Sequence, residues 1–566
     1  MVIDKLTANP GRYVTISMAA SALYIDEIAV FAEGGEVAQE KPVIYASPDI
    51  TPFYPLHTIY TAREFLCPAT LINTHEQGYD LEITLPDGVT LVAPVHEKSG
   101  EGRIRVRDAR LLFFKSTLPA GTRLPLEFKE QKTGRTQLLT LETISVPQVK
   151  PFRKLLASVT FASYLSFYHF WPDLVKNYRA TGLNLLVPFA STDYHYMMLK
   201  KRDSRAYDLI SEAKAAGLKV GGNASPYCNI QINATGLTRP AVYLDSNRQA
   251  KVNCPRLYDP ANDLAELVKG AEAGLEYLFL DSEPYWSGSI CACDVCEKKF
   301  ANFLTVRNKV SHTLRETFIS GGDSGKQLIQ EFWDEFYINL WGHFHNAMPD
   351  VKLSLYGTPC TQEQGQFGNK ARFTPLYRAE IIAWGAAEYY LTPTAEYGEK
   401  LRAAAKNMDG APGIVWMTCG GGKMTYERSH ADLRNRLYLV LINSFKGFCF
   451  WSARGVDAAE YGVISDVIGK LEPYEEWILT GKVSENETKA DNSAKATLLE
   501  SPAGALLLVE CHADTIRKIS VDLPDSYQTL TGVSHPGEKV DYAGGVLKLH
   551  LGGAESTRIR VFALKK

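Results

Sequence analysis

The chain has 566 residues, of which 45% are hydrophobic and 22% charged, with a formal net charge of -3 at pH 7. That size and apolar content predict about three or four packed domains. Interspersed acids and bases exclude a nucleic-acid surface or an anionic-membrane patch and favour a neutral polar substrate, and no apolar run approaches the roughly 20 residues of a membrane-spanning helix.

Residues 12–24 have small residues near their end, as a secretory leader does, but Tyr13-Val-Thr-Ile-Ser-Met alternates like a strand and Ile25-Asp-Glu-Ile-Ala-Val-Phe continues the pattern. The chain as it stands reads as cytoplasmic; a leader removed before numbering would make it periplasmic or secreted. Onward to Val149, short alternating runs such as Asp80-Leu-Glu-Ile-Thr-Leu and Arg103-Ile-Arg-Val-Arg are broken by Pro86-Asp-Gly and Pro119-Ala-Gly turns. Residues 1–149 are therefore expected to form a β-sandwich region of one or two small units.

After Pro147 the rhythm changes to alternating apolar strands and helical segments. Strands are expected at Leu155-Leu-Ala-Ser-Val-Thr-Phe-Ala, Leu183-Asn-Leu-Leu-Val-Pro-Phe-Ala, Leu218-Lys-Val-Gly-Gly-Asn, Tyr277-Leu-Phe-Leu-Asp, Val351-Lys-Leu-Ser-Leu-Tyr-Gly, Glu380-Ile-Ile-Ala-Trp-Gly, Gly413-Ile-Val-Trp-Met-Thr and Gly447-Phe-Cys-Phe-Trp. Eight such units fit an α/β fold with a (β/α)8 TIM barrel over residues 150–480; a doubly wound open sheet is the structural alternative. Residues 482–495 read as a polar linker, and the runs after them predict a C-terminal β-sandwich within 481–566.

In a barrel, chemistry collects where strands end and βα loops begin. Those ends offer Asp193 and His195 after the second strand, Asn223 after the third, and Asp281, Glu283, Tyr285 and Trp286 after the fourth. Glu388, Tyr389 and Tyr390 follow the sixth, and Trp451, Arg454, Asp457 and Glu460 the eighth. Carboxylates and aromatic faces together suit a carbohydrate. Glycosidic cleavage needs one carboxylic acid for the leaving oxygen and a second group at the oxocarbenium-like centre. Glu283 is the expected acid/base, Asp281 either its helper or a buried hydrogen-bonding residue, and Glu388 either the second carboxylate or the anchor of a loop. Glu427 and Glu460 are further candidates for that second role.

Of ten cysteines, only Cys291, Cys293 and Cys296 are patterned, which argues for reduced thiols and one metal site. A Cys-x-Cys-x-x-Cys loop with Cys254 as fourth ligand would close a tetrahedral, structural zinc site; free thiols are the plainer alternative.

These residues resemble family 42 glycoside hydrolases, mostly β-galactosidases of clan A. That family has an Asn-Glu acid/base at the fourth strand end, a Cys-x-Cys-x-x-Cys loop that binds zinc with an earlier cysteine, and a Trp-Arg-x-x-Arg-Gly-Gly-x-Glu type run after the eighth strand. Here Asp281-Ser282-Glu283, Cys254 with the three later cysteines, and Trp451-Ser-Ala-Arg454-Gly455-Val-Asp-Ala-Ala-Glu460 hold those places. The resemblance covers the barrel and implies a retaining glycosidase with Glu283 as acid/base and the four cysteines as zinc ligands. Two departures stand out: Ser282 replaces the asparagine, and Trp416-Met-Thr-Cys419-Gly stands where the family has its nucleophilic glutamate. The Asp-x-Glu pair, with a tyrosine after the sixth strand, is also similar to family 18 chitinases, where the aspartate orients a substrate 2-acetamido nucleophile. A binding protein on an inactive barrel is the reading from another class. The opening Gly11-Arg-Tyr-Val-Thr-Ile-Ser resembles galactose-binding-like sandwich domains. No organic cofactor is expected, and a homo-oligomer is compatible with the sequence.

Overall fold

The computed structural model describes residues 58–160, 171–191, 204–224, 240–281, 291–356, 373–389, 394–417, 430–450 and 456–566, less gaps of up to eight residues, and four short strands before residue 37. Its centre is eight parallel strands: β1 (Leu156–Val159), β2 (Leu185–Ser191), β3 (Lys219–Ala224), β4 (Tyr277–Asp281), β5 (Lys352–Tyr356), β6 (Gly385–Glu388), β7 (Gly413–Met417) and β8 (Gly447–Phe450). They form two four-stranded sheets, ordered β1-β8-β7-β6 and β2-β3-β4-β5. Single parallel bridges join the two sheets at both seams, Thr160 to Val187 beyond β1 and Ser354 to Trp384 before β6.

Strands covered on both faces read as continuous apolar runs, and alternation then divides each run between two cores. Leu156, Leu185, Val187, Tyr277, Phe279, Ala386, Ile414, Trp416 and Cys449, drawn from both sheets, form one buried cluster. Their alternates, including Ala157, Val220, Leu278, Leu280, Val415 and Phe448, join the larger cluster under the helices. Phe279 of β4 meets Trp416 of β7 edge-on, with ring centroids 5.3 Å apart, so the space between the sheets is filled with side chains. Gly221 makes room there: a Cβ on it would come within 3.4 Å of Val187, Leu185 and Phe279.

The sixth strand lies later than its apolar signal. Glu380 takes a left-handed φ of 58°, Ile381 and Ile382 pack into the outer, helix-side cluster, and the strand proper begins at Gly385. Glu388 is thereby its last residue rather than a loop residue beyond it.

The helices are α1 (Leu174–Ala180), α2 (Ser204–Ala215), α3 (Ala261–Ala273), α4 (Asp294–Val306), α5 (Leu314–Ser320), α6 (Gly322–Ala347), α7 (Phe373–Arg378), α8 (Thr394–Asn407), α9 (His430–Ile442), α10 (Ala458–Leu471) and α11 (Glu475–Thr480). None of the described helices is long and apolar enough to cross a membrane. α4, α5 and α6 make a large insertion between β4 and β5. At the N-terminal ends of the strands, the buried Glu475 carboxylate accepts from the backbone amides of Arg153 (2.9 Å), Lys154 (2.7 Å) and Leu155 (2.8 Å).

Before the parallel strands, a six-stranded sheet and a three-stranded sheet share one core that includes Ile59, Leu81, Leu91, Phe114 and Phe128. After them, a five-stranded and a three-stranded sheet share another, with Leu507, Val521, Leu549 and Phe562. Its first pairing falls inside the expected linker: Lys482 and Val483 pair with Glu500 and Leu499. At the chain start, Tyr13–Ser17 is a strand paired antiparallel with Lys5–Asn9.

Candidate active-site rim and metal centre

Three expected rim residues fall at the C-terminal ends of neighbouring or facing strands. Asn223, next to last in β3, is level with Phe279 of β4; Asp281 ends β4 level with Tyr356 of β5; and Glu388 ends β6 level with Trp416 of β7. Asn223 is only 5% exposed, and its Oδ1 has no hydrogen-bond partner among the described residues. A buried amide oxygen without a donor costs about 1–3 kcal/mol, so this one is poised to accept from a ligand or water. Glu388 is half-buried, two residues beyond Ala386 of the interior cluster and beside Trp416 of β7.

Glu283, Tyr285, Trp286, Asp193, His195, Tyr390, Trp451, Arg454 and Glu427 lie outside the described residues. Three other expected rim residues turn out to have structural partners. Tyr389 donates its hydroxyl to the Lys400 carbonyl (3.0 Å), and its ring meets Tyr397 of α8 at a 6.1 Å centroid separation. Strand alternation explains this, because Glu388 and Tyr389 are consecutive and leave opposite faces. Asp457 is the N-cap of α10, accepting from Ala459 N at 2.7 Å, and Glu460 completes the capping box by accepting from Asp457 N at 2.9 Å. Burial and the neighbouring Glu460 push the Asp457 pKa well up. Burial also disfavours the Glu460 carboxylate, but hydrogen bonds from His430 and Asp457 outweigh it and keep its pKa below the usual value. The pair sits where Tyr60 of the N-terminal sheet meets His430 of α9, away from the described ends of β3, β4 and β6 in chain position.

The four cysteines do converge. Cys254 follows the strand Gln249–Asn253; Cys291 and Cys293 precede α4, with Cys293 as its N-cap; and Cys296 lies in its first turn. All four are buried and unoxidised, and their Sγ atoms lie within 4.8 Å of one another, with Cys254 and Cys296 at 3.5 Å. Tetrahedral zinc-thiolate bonds of about 2.3 Å would set sulfur edges of about 3.8 Å, so the cage is the right size and uniformly soft in donor type. Hydrogen bonding among the four thiols lowers the Cys291 and Cys293 pKa values and raises those of Cys254 and Cys296. A backbone bond from Ala292 N to Val242 O (2.8 Å) runs beside the cage. Together they tie the segment after β3 to the segment after β4.

Two neighbours of these sites carry no motif of their own. Trp416 stands beside Glu388 and packs in the interior cluster against Phe279 of β4. Arg256, two residues after Cys254, places its guanidinium 4.0 Å from the ring centroid of Phe332 on α6.

No protein-family model and no curated protein matches the chain. Among solved structures it is similar to a family 39 glycoside hydrolase from the gut symbiont Bacteroides cellulosilyticus WH2, at 12% identity and a TM-score of 0.43 over 90% of this chain and 99% of that one. It is also similar to a β-galactosidase from Bacillus circulans sp. alkalophilus, at 12% identity and a TM-score of 0.42 over 59% of this chain and 58% of that one. A family 30 endoxylanase from Clostridium papyrosolvens C71 matches at 11% identity and a TM-score of 0.38, over 74% of this chain and 98% of that one.

Proposed function

We propose that the protein is a glycoside hydrolase acting on an oligo- or polysaccharide, with a closed (β/α)8 barrel between two β-sandwiches. Barrel closure is supported by the two seam bridges and by an interior cluster drawn from both sheets. The observation that carries the functional reading is the four-cysteine cage behind the end of β4. The family 42 resemblance required residues 254, 291, 293 and 296 to meet, and they do. The same resemblance that implies the cage implies the residue two beyond Asp281, Glu283, as the acid/base. The cage fits zinc, held by those four thiolates in a closed shell that leaves no position for substrate. Its role would be to fix the rim segments after β3 and β4.

In this reading Glu283 protonates the departing glycosidic oxygen. Glu388 supplies the second carboxylate for a retaining double displacement, and Asn223 Oδ1 accepts a sugar hydroxyl. The test is Glu283→Gln against a panel of aryl glycosides and oligosaccharides. Loss of about 10²–10⁴-fold in kcat with an unchanged fold is expected, and near-normal turnover would overturn the assignment.

One observation favours a second mechanism. β7 carries Trp416 and Met417 and no carboxylate in its described residues, so the family's usual nucleophile position is not filled within the strand. Substrate-assisted cleavage, with Asp281 orienting a 2-acetamido group and Glu283 as acid, needs no enzyme nucleophile. Activity that requires the 2-acetamido group and survives Glu388→Ala would select it; tight glycan binding with no hydrolysis across the panel would instead mark a binding protein.

A further inference from the structure

The buried charge that the chemistry above leaves unused is Arg436 of α9, 4% exposed in a helix whose other buried residues include Leu433, Leu437, Leu439 and Leu441. Its Nε donates to Asp432 Oδ2 at 3.0 Å and to Thr394 Oγ1 at 3.1 Å, and its guanidinium carbon lies 4.5 Å from the ring centroid of Tyr397. The Thr394 hydroxyl in turn donates to Asp432 Oδ1. Thr394 and Tyr397 lie in the first turn of α8, so one guanidinium joins that turn to α9.

Both partners on α8 bear on the end of β6. Tyr397, fully buried, meets the Tyr389 ring at a centroid separation of 6.1 Å, and Tyr389 donates to the Lys400 carbonyl at 3.0 Å. Glu388 closes β6 and Thr394 opens α8. The connection between them is therefore pinned at Tyr389 and at Thr394, and the supports of both pins converge on Arg436. Packing alone gives little reason for a charge here, because a buried ion pair exchanged for apolar residues is often neutral or stabilising. What the rigid fork of guanidinium donors adds is a fixed geometry. We propose that Arg436 is a positioning residue for the site: through Tyr397 and Thr394 it fixes how β6 ends, and with it the direction in which Glu388 presents its carboxylate. The inference rests on the reading of Glu388 as the second carboxylate. It adds that a side chain of α9 controls kcat through the end of β6. A misplacement of about 1 Å at the reacting groups costs about 10²-fold in rate.

The experiment uses the full chain and an activated aryl glycoside from the panel above. It compares wild type with Arg436→Met, Arg436→Lys and Thr394→Val, and repeats Arg436→Met and Thr394→Val in a Glu388→Gln background. Arg402→Met is the control: Arg402 also reaches from α8 towards the end of α9, but its partners are Asn443 Oδ1 (3.1 Å) and Thr497 Oγ1 (3.3 Å). Arg436→Met should lower kcat per folded molecule by about 10–10²-fold, with KM within about twofold of wild type. Arg436→Lys should recover part of that loss, and Arg402→Met should keep the wild-type kcat. In the Glu388→Gln background Arg436→Met should cost nothing further, because residues that act as a unit are not additive. A wild-type kcat in Arg436→Met would overturn the proposal. So would Arg436→Lys no better than Arg436→Met, an equal loss in Arg402→Met, or the full loss repeated in the Glu388→Gln background. Wild-type turnover in Glu388→Gln alone would overturn the reading of Glu388, and the proposal with it. Should Arg436→Met fail to fold, Thr394→Val, which keeps the side-chain shape and removes the hydroxyl, decides in its place against the same outcomes.

Discussion

The (β/α)8 barrel proposed above would place stability at the N-terminal ends of the strands and chemistry at the C-terminal ends, and Glu475 allows the two to be separated. Its carboxylate receives three backbone amides at the entrance to β1 and is itself 8% exposed. In Glu475→Ala the Leu155 amide, buried with its residue, loses a charge-assisted bond worth about 1.5–3 kcal/mol. Arg153 and Lys154 are exposed residues, so their amides can turn to water and lose about 0.5–1 kcal/mol each. The expected total is about 2.5–5 kcal/mol, within the range for breaking a buried polar network. Glu475→Gln keeps Oε1, which takes the two shorter bonds, and should cost about 1–2 kcal/mol through the lost charge and the lost Arg153 bond. The assay is urea unfolding followed by hydrogen exchange at the β1 amides, because a chain with several cores need not unfold in one step. The order wild type, Gln, Ala should appear in the β1 protection, while any glycosidase turnover per folded molecule, proposed above, stays at its wild-type value. Unchanged β1 protection in Glu475→Ala would refute the energetic argument, and lost turnover in a folded variant would refute the division between the two ends.

Two pH-dependent predictions follow from buried charges away from the strand ends. Burial lowers the Lys446 pKa to about 8, and its ammonium donates to the Ile478 carbonyl at 2.6 Å; between that pH and the ordinary lysine value the unfolded chain binds the extra proton, so stability should rise with pH across that window. Lys446→Met should flatten that rise in thermal melts taken from pH 7.5 to 10, and an unchanged slope would contradict it. Asp457 runs the other way: its pKa is raised by burial and by Glu460, so its ionisation destabilises the fold above the ordinary aspartate range. Asp457→Asn retains an Oδ1 to cap Ala459 and should melt higher than wild type at pH 7 with the gain vanishing near pH 3.5, whereas a lower melting point at both pH values would show that the cap needs the charge.

Two-sided burial wrote most of the parallel strands into the sequence as apolar runs, and the one misplaced strand shows the limit of that signal. Ile381 and Ile382 are as apolar as any strand residue, but their burial is against helices, and only the left-handed turn at Glu380 reveals that the strand starts at Gly385. The cysteine cluster was legible because three of its members are local, at the Cys-x-Cys-x-x-Cys spacing of residues 291, 293 and 296. The stacking of Arg256 was not, since it depends on Phe332, Trp333 and Phe336, some 80 residues further on. Parity settles part of the rim: consecutive Glu388 and Tyr389 cannot both face inward, and the hydroxyl of Tyr389 on Lys400 commits it to the helix side. Asp457 and Glu460 are capping-box spacing first and carboxylates second. Asn223 then becomes the most informative residue at the strand ends, because its buried Oδ1 meets no donor among the described residues. Asn184 shows what a purely structural asparagine in this fold looks like, with Oδ1 taking the Ala157 amide and Nδ2 reaching the Phe152 and Leu155 carbonyls. Asn223 stands near the same ends of the strands at which Asp281 and Glu388 stop.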